Sequence, residues 1–174
     1  MEKEFVKRFY LAFVSMVLSL IVSIPIVAEE PFPPKPQTQP PAEKKAENPN
    51  FEKGFELYNQ SKYDEAIVLF EEVLKEDSNH LRARVYYGVC LMGKNEFDRA
   101  IEELQKALKL DQNYPLTNYA LAVSYARKAQ PEPAKAEEYL AAAKKNGYQV
   151  PVWFEQYVSR LKSGKVSPAE QKPS

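Results

Sequence analysis

The sequence predicts an all-α domain: three helix–turn–helix repeats in a row, closed by a capping helix. Three observations predict it. Residues 61–77 read SKYDEAIVLFEEVLKED, and thirty-four residues later 95–111 read NEFDRAIEELQKALKLD. Self-similarity at such an interval marks a repeat array, in which each unit buries its apolar face only by stacking on its neighbours. Within each copy the apolar residues recur at i, i+3, i+4 and i+7, the period of an amphipathic helix. Outside residues 50–162 the pattern stops, and the chain turns apolar, proline-rich or polar.

Residues 1–28 have a basic flank (Lys7, Arg8) and an apolar run from Phe9 to Val27 that is interrupted by serines and Pro25. This is the layout of a secretory signal peptide ending near Ala28, or, uncleaved, of a membrane anchor, since the run approaches the ~20 residues that span a bilayer. Either way the remainder is expected to be exported, with a periplasmic or extracytoplasmic location, anchored through 9–27 if the segment is retained. Residues 29–50, EEPFPPKPQTQPPAEKKAENPN, carry seven prolines and few apolar side chains. Such a composition cannot offset the entropy of ordering and reads as a disordered, extended spacer. PPKP and PPAEK within it are also short extended stretches of a kind that partner domains dock.

The first unit spans about 50–80, the second 81–114 and the third 115–147. Gly54, Leu57, Tyr63, Ala66, Ile67, Phe70, Val73 and Leu74 of the first are matched in the second by Gly88, Leu91, Phe97, Ala100, Ile101, Leu104, Ala107 and Leu108. The small residues are expected where the two helices of a unit cross closely. Ser61-Lys-Tyr-Asp64 and Asn95-Glu-Phe-Asp98 place a capping side chain three residues before a carboxylate, an N-terminal helix signature. Asp77 and Asp111 supply turn chemistry between units. In the third unit Leu121, Ala122 and Tyr125 hold the first-helix places. Two extra residues, at Gln130–Pro133, bring Ala136, Leu140 and Ala143 into the second-helix places. Beyond Gly147, a helix stop, Val152, Trp153, Tyr157, Val158 and Leu161 give residues 148–162 the apolar face of a cap, and 163–174 read as a disordered tail. The opposite end is marked too. Lys53 and Glu56 are polar where the later units have Tyr87, Cys90 and Ser124, so nothing is expected to stack on the first unit.

KYDEAIVLFEEVLKED and EFDRAIEELQKALKLD resemble the tetratricopeptide repeat: a 34-residue unit with a small residue in the first helix, then Tyr or Phe, Ala, and a large apolar residue in the second. The family's usual proline after the second helix is absent; Ser78 and Gln112 stand there. The resemblance implies a right-handed superhelix whose first helices line a concave face that binds partner peptides. It assigns to that face Phe51, Phe55 and Tyr58, then Arg82, Val85, Val89 and Met92, then Tyr119, Val123 and Arg127, with Asn59 on the rim. Phe55, Tyr58, Met92 and Tyr119 would be anchors, and Arg82 and Arg127 would orient the ligand. Some family members hold a C-terminal carboxylate with Lys, Asn and Arg; the matching places here are Phe51, Phe55, Tyr86, Leu116 and Ala120, so that use is not expected.

Other classes of function find little support. The chain has 24 basic and 24 acidic residues; without residues 1–28 the balance is 21 to 22, a net charge of −1. Nucleic-acid binding requires a basic excess. The single cysteine, Cys90, excludes an internal disulfide and reads as a buried packing residue. His80, beside Asp77-Ser-Asn79, reads as a solvated turn residue. Gly88-Val-Cys-Leu-Met-Gly93-Lys94-Asn95 falls short of a phosphate-binding loop, because the final Ser or Thr is missing and the stretch is helical. Asn59-Gln-Ser61 is a glycosylation sequon, meaningful only in a eukaryote. No metal-ligand spacing is present, and neither a cofactor nor an enzyme activity is expected. The expectation is therefore a non-catalytic protein-interaction module of the cell envelope, a scaffold or assembly factor holding an apolar or amphipathic peptide; the alternative is a self-association module forming homo-oligomers.

Overall fold

A computed structural model describes residues 48–166. The expected signal or anchor, nearly all of the spacer and most of the tail lie outside the described residues. Seven helices are found among those described: α1 (Pro49–Asn59), α2 (Tyr63–Glu76), α3 (Leu81–Gly93), α4 (Phe97–Leu110), α5 (Pro115–Arg127), α6 (Pro133–Lys145) and α7 (Val152–Lys162). None of the described helices is long and apolar enough to cross a membrane.

The helices pair as α1–α2, α3–α4 and α5–α6. The second helix of each pair also packs on the first helix of the next, and α1, α3 and α5 touch in series. The glycines explain the closeness within a pair. A Cβ built on Gly54 would stand 2.9 Å from Phe70 Cε1, and one on Gly88 2.7 Å from Leu104 Cγ. Ala66, Phe70, Val73, Ala100, Leu104 and Ala107 are fully buried opposite them. In the third unit Ala136, Leu140 and Ala143 take the equivalent buried places on α6, and the lengthened turn before it closes through the Glu132 N–H, which donates to the Tyr125 carbonyl at 2.9 Å.

Electrostatic ties recur with the repeat. Lys94, just past α3, pairs with Asp64 on α2 at 2.6 Å, and Lys128, just past α5, pairs with Asp98 on α4 at 3.2 Å. Asp77 and Asp111 accept from the N–H groups of Asn79 and Asn113 at 3.0 and 2.8 Å, turning the chain between units at the same phase. The two edges differ. Lys53 and Glu56 on α1 are exposed, whereas Tyr87, Cys90 and Ser124 are buried; the Tyr87 hydroxyl donates to Glu71 at 2.8 Å.

Three sequence expectations are corrected. Ser61 and Asn95 do not cap the helices that follow them. Those helices begin at Tyr63 and Phe97 after Lys62 and Glu96, with no side-chain cap. Ser61 and Asn95 instead sit at φ +61°, closing the preceding helices. The Ser61 N–H donates to the Tyr58 carbonyl and the Lys62 N–H to that of Leu57; Asn95 and Glu96 repeat this toward Met92 and Leu91. This is a Schellman ending, and Gly147 and Gly164 end α6 and α7 in the same way. His80 is not a solvated bystander. Its Nδ1 accepts from the Ala83 N–H at 3.1 Å, capping α3, and its ring stacks on Phe51 with centroids 5.2 Å apart. On α7 the buried side chains are Phe154 and Val158, while Val152 and Trp153 face outward; their exposure is 68 % and 38 %.

Candidate functional site

The ten residues assigned to the concave face all lie on first helices: Phe51, Phe55 and Tyr58 on α1, Arg82, Val85, Val89 and Met92 on α3, and Tyr119, Val123 and Arg127 on α5. On each helix their spacing of three or four residues keeps them on one side, and contact between successive first helices joins the three sets.

At the first-unit end they form an aromatic cluster. Phe51 stacks on Phe55 at 6.3 Å and Phe55 on Tyr58 at 6.0 Å. Tyr86 stands at the centre, with its centroid 4.9 Å from Phe55, 5.4 Å from Tyr58 and 6.1 Å from Phe51. The sequence reading had placed Tyr86 only as a missing clamp residue. Its spacing from Arg82 and Val89, four residues before and three after, is the signal that would have put it on this face. The Arg82 guanidinium carbon lies 4.5 Å from the Phe51 centroid, a cation–π geometry, so Phe51 is contacted by both Arg82 and the His80 ring.

The far end is built differently. Tyr119 stacks on Tyr148 at 4.4 Å and meets Phe154 edge-on at 5.5 Å. The segment after α6 therefore folds onto this part of the face. Tyr148 and Phe154 had no repeat copy to point to them, because they belong to the cap.

The face is dry. Phe51, Tyr58, Val85, Val89, Met92, Tyr119 and Val123 are all buried, none more than 3 % exposed. Phe55, Arg82 and Arg127 keep partial exposure. Burial raises the Tyr58 phenol far above its ordinary pKa, reinforced by the neighbouring Tyr86 hydroxyl and the Cys90 thiol. Tyr86 is raised for the same first reason, and burial pushes Tyr148 up to about 12. Burial also lowers the Arg127 guanidinium from its ordinary value. The Tyr58 hydroxyl has no hydrogen-bond partner among the described residues.

Nucleophiles and metal ligands are not gathered here. Cys90 is buried inside α3, and burial alone raises its thiol, so it stays protonated and inert. Gly88 and Gly93 lie within the same helix. Among the described residues, no group of three His, Cys, Asp or Glu side chains is placed to hold a metal ion. Most of the aromatic and aliphatic side chains assigned to the face, the expected anchors Tyr58, Met92 and Tyr119 among them, are buried against one another, and of the ten only Phe55, Arg82 and Arg127 reach the surface.

Comparison with known proteins agrees on the fold. A tetratricopeptide repeat model matches residues 57–123. No curated protein matches the chain. Among solved structures, the type III secretion translocator chaperone SycD of Yersinia enterocolitica is similar at 23 % identity and a TM-score of 0.54, covering 67 % of this chain and 78 % of its own. SycD in complex with a peptide of the translocator YopD gives 23 %, 0.53, 67 % and 86 %. PcrH in complex with the chaperone-binding region of PopD gives 18 %, 0.53, 67 % and 85 %. At these identities the likeness is one of fold. With the 34-residue period, the helix pairs and the match over residues 57–123 in agreement, the described residues carry tetratricopeptide-type repeats and fold as an all-α superhelix of three helix–turn–helix repeats and a capping helix.

Proposed function

We propose that the chain is a non-catalytic protein-interaction module of the cell envelope, a scaffold or assembly factor that binds an apolar or amphipathic peptide segment along the concave face. The observation that carries this reading is the face itself, where three successive first helices put aromatic and aliphatic side chains side by side with Arg82 and Arg127 among them. A ligand approaching it meets Phe55, Arg82 and Arg127 first, over a floor of Tyr58, Tyr86, Val89 and Met92. SycD and PcrH, which share the fold, are both known in complex with segments of partner proteins, and that favours the same use here. Export, through the signal peptide or uncleaved anchor expected at residues 1–28, would put the module in the envelope.

The test is capture from envelope extract with the chain as bait, beside a bait carrying Phe55→Ala and Arg82→Ala whose helicity is confirmed by circular dichroism. A protein held by the first and lost by the second supports the reading. Equal retention by both moves binding off the concave face. No retained protein, together with a mass that doubles with concentration, favours self-association. Fractionation of the producing cell checks the location.

A further inference from the structure

The junction between α6 and α7 carries a surface that the peptide-binding reading does not use. From Tyr139 to Phe154 the only charged side chains are Lys144 and Lys145; the nearest acids, Glu138 and Glu155, bound the stretch. Both lysines are exposed in the last turn of α6. The chain turns sharply at Gly147, φ +88°, with the Tyr148 N–H donating to the Ala143 carbonyl at 2.9 Å. It then presents Val152 and Trp153, two of the four large apolar side chains that are exposed among the described residues. Lys144 reaches Glu155 at 2.9 Å, which puts the α6 lysines alongside the first turn of α7.

The tip is held from beneath. Tyr148 is stacked on Tyr119 and Phe154 is packed edge-on against the same ring. With those two inward, Val152 and Trp153 cannot turn into the core without undocking the cap. Their exposure is therefore built in by the fold, and a repeat array that needed only a polar cap would gain nothing from it. An apolar pair with an indole, next to the exposed Lys145 and to Lys144 paired with Glu155, matches the chemistry of a membrane surface. Trp sits well at the headgroup level because one end of the indole is apolar and the other carries an N–H, while lysines are drawn by anionic headgroups.

We propose that this tip docks on an anionic lipid surface, with Val152 and Trp153 entering the boundary between headgroups and acyl chains and with Lys144 and Lys145 facing the headgroups. The contact is peripheral, distinct from any insertion by residues 9–27, and independent of what the concave face binds. It would orient the array by its last unit.

Trp153 is the chain's sole tryptophan, so its emission reports this site even if another segment also touches the bilayer. The experiment adds vesicles of phosphatidylcholine with phosphatidylglycerol, or of phosphatidylcholine alone, to the full chain and follows that emission. A shift to shorter wavelength with the anionic vesicles, reversed by raised salt, is expected. Lys145→Glu should weaken the vesicle affinity by at least about fivefold, from the loss of one surface lysine, and Val152→Asp should abolish the shift with helicity retained. No shift on anionic vesicles overturns the proposal. So does an equal shift on neutral vesicles or in Lys145→Glu. A shift that grows with protein concentration in the absence of lipid would mean that a second copy covers the patch, and overturns it as well.

Discussion

Tyr87 stands at the second-unit place that Lys53 fills in the first, and the exchange shows how one side chain records its neighbours. Lys53 has no preceding helix pair among the described residues and is exposed; Tyr87 lies between α2 and α4, its hydroxyl donating to Glu71 and lying 3.5 Å from the Arg99 guanidinium. Burial first, and then the hydrogen bond to Glu71, raise its pKa to about 12. The folded state therefore keeps this proton over a range, from about pH 10 to 12, in which the unfolded chain has released it. With fewer protons bound when unfolded, stability must fall as pH rises through that window. Tyr58 and Tyr86, raised for the same reason, extend the slope upward. Denaturant titration at pH 9 and pH 11.5 should show a lower midpoint at the higher pH, and Tyr87→Phe should narrow the gap. At this scale the sequence was informative about the crossing glycines, because Gly54 and Gly88 recur thirty-four residues apart among residues of matching character. It was uninformative about His80, whose stacking partner Phe51 lies at the opposite end of the same unit.

At the scale of the element, each helix end is decided by the helix it finishes. S-x-x-D and N-x-x-D look locally like the start of the next helix. The carbonyls left open at the end of α1 and α3 compete for the same residues, and the Schellman bonds to Leu57, Tyr58, Leu91 and Met92 prevail. Ser61 and Asn95 consequently hold a left-handed backbone that glycine adopts without a Cβ penalty. Ser61→Gly and Asn95→Gly should each stabilise the fold by about 0.5–1 kcal/mol, and nearly additively, since the sites are in different units. Thermal unfolding checks this; a lower melting temperature in either variant would mean that the side chain contributes something this account omits. On α7, Val152, Trp153 and Phe154 are consecutive apolar residues. Periodicity alone does not choose which of them faces the core; docking on Tyr119 does.

The described residues form a one-dimensional stack. Each unit touches its neighbours through the packed second and first helices and through the repeated Lys94–Asp64 and Lys128–Asp98 pairs. Asp64 and then Glu96 hold the Lys94 ammonium above its ordinary pKa, and Glu132 and then Asp98 do so for Lys128, but these pairs are exposed enough for salt to screen them, so the array stands mainly on its apolar layers. In such a stack a lesion spreads slowly. Phe154→Ala removes a fully buried ring from against Tyr119 and should cost about 3–5 kcal/mol locally. Hydrogen exchange should then accelerate in α6 and α7 while α1 and α2 keep their protection; uniform acceleration would show the three units to be one cooperative block instead.

The 34-residue recurrence and the helical period determined on their own that residues 50–147 hold helix pairs and where the helices of a pair cross. These are properties of nearest neighbours along the chain, and a repeat writes its nearest-neighbour contacts into its spacing. Tertiary structure alone decided how the concave side chains use their positions: Tyr86 in the middle of the aromatic cluster, Tyr119 beneath the cap, Val152 and Trp153 turned outward. Those outcomes depend on contacts between units and on the cap, which has no second copy in the chain to compare with, so no periodicity could announce them.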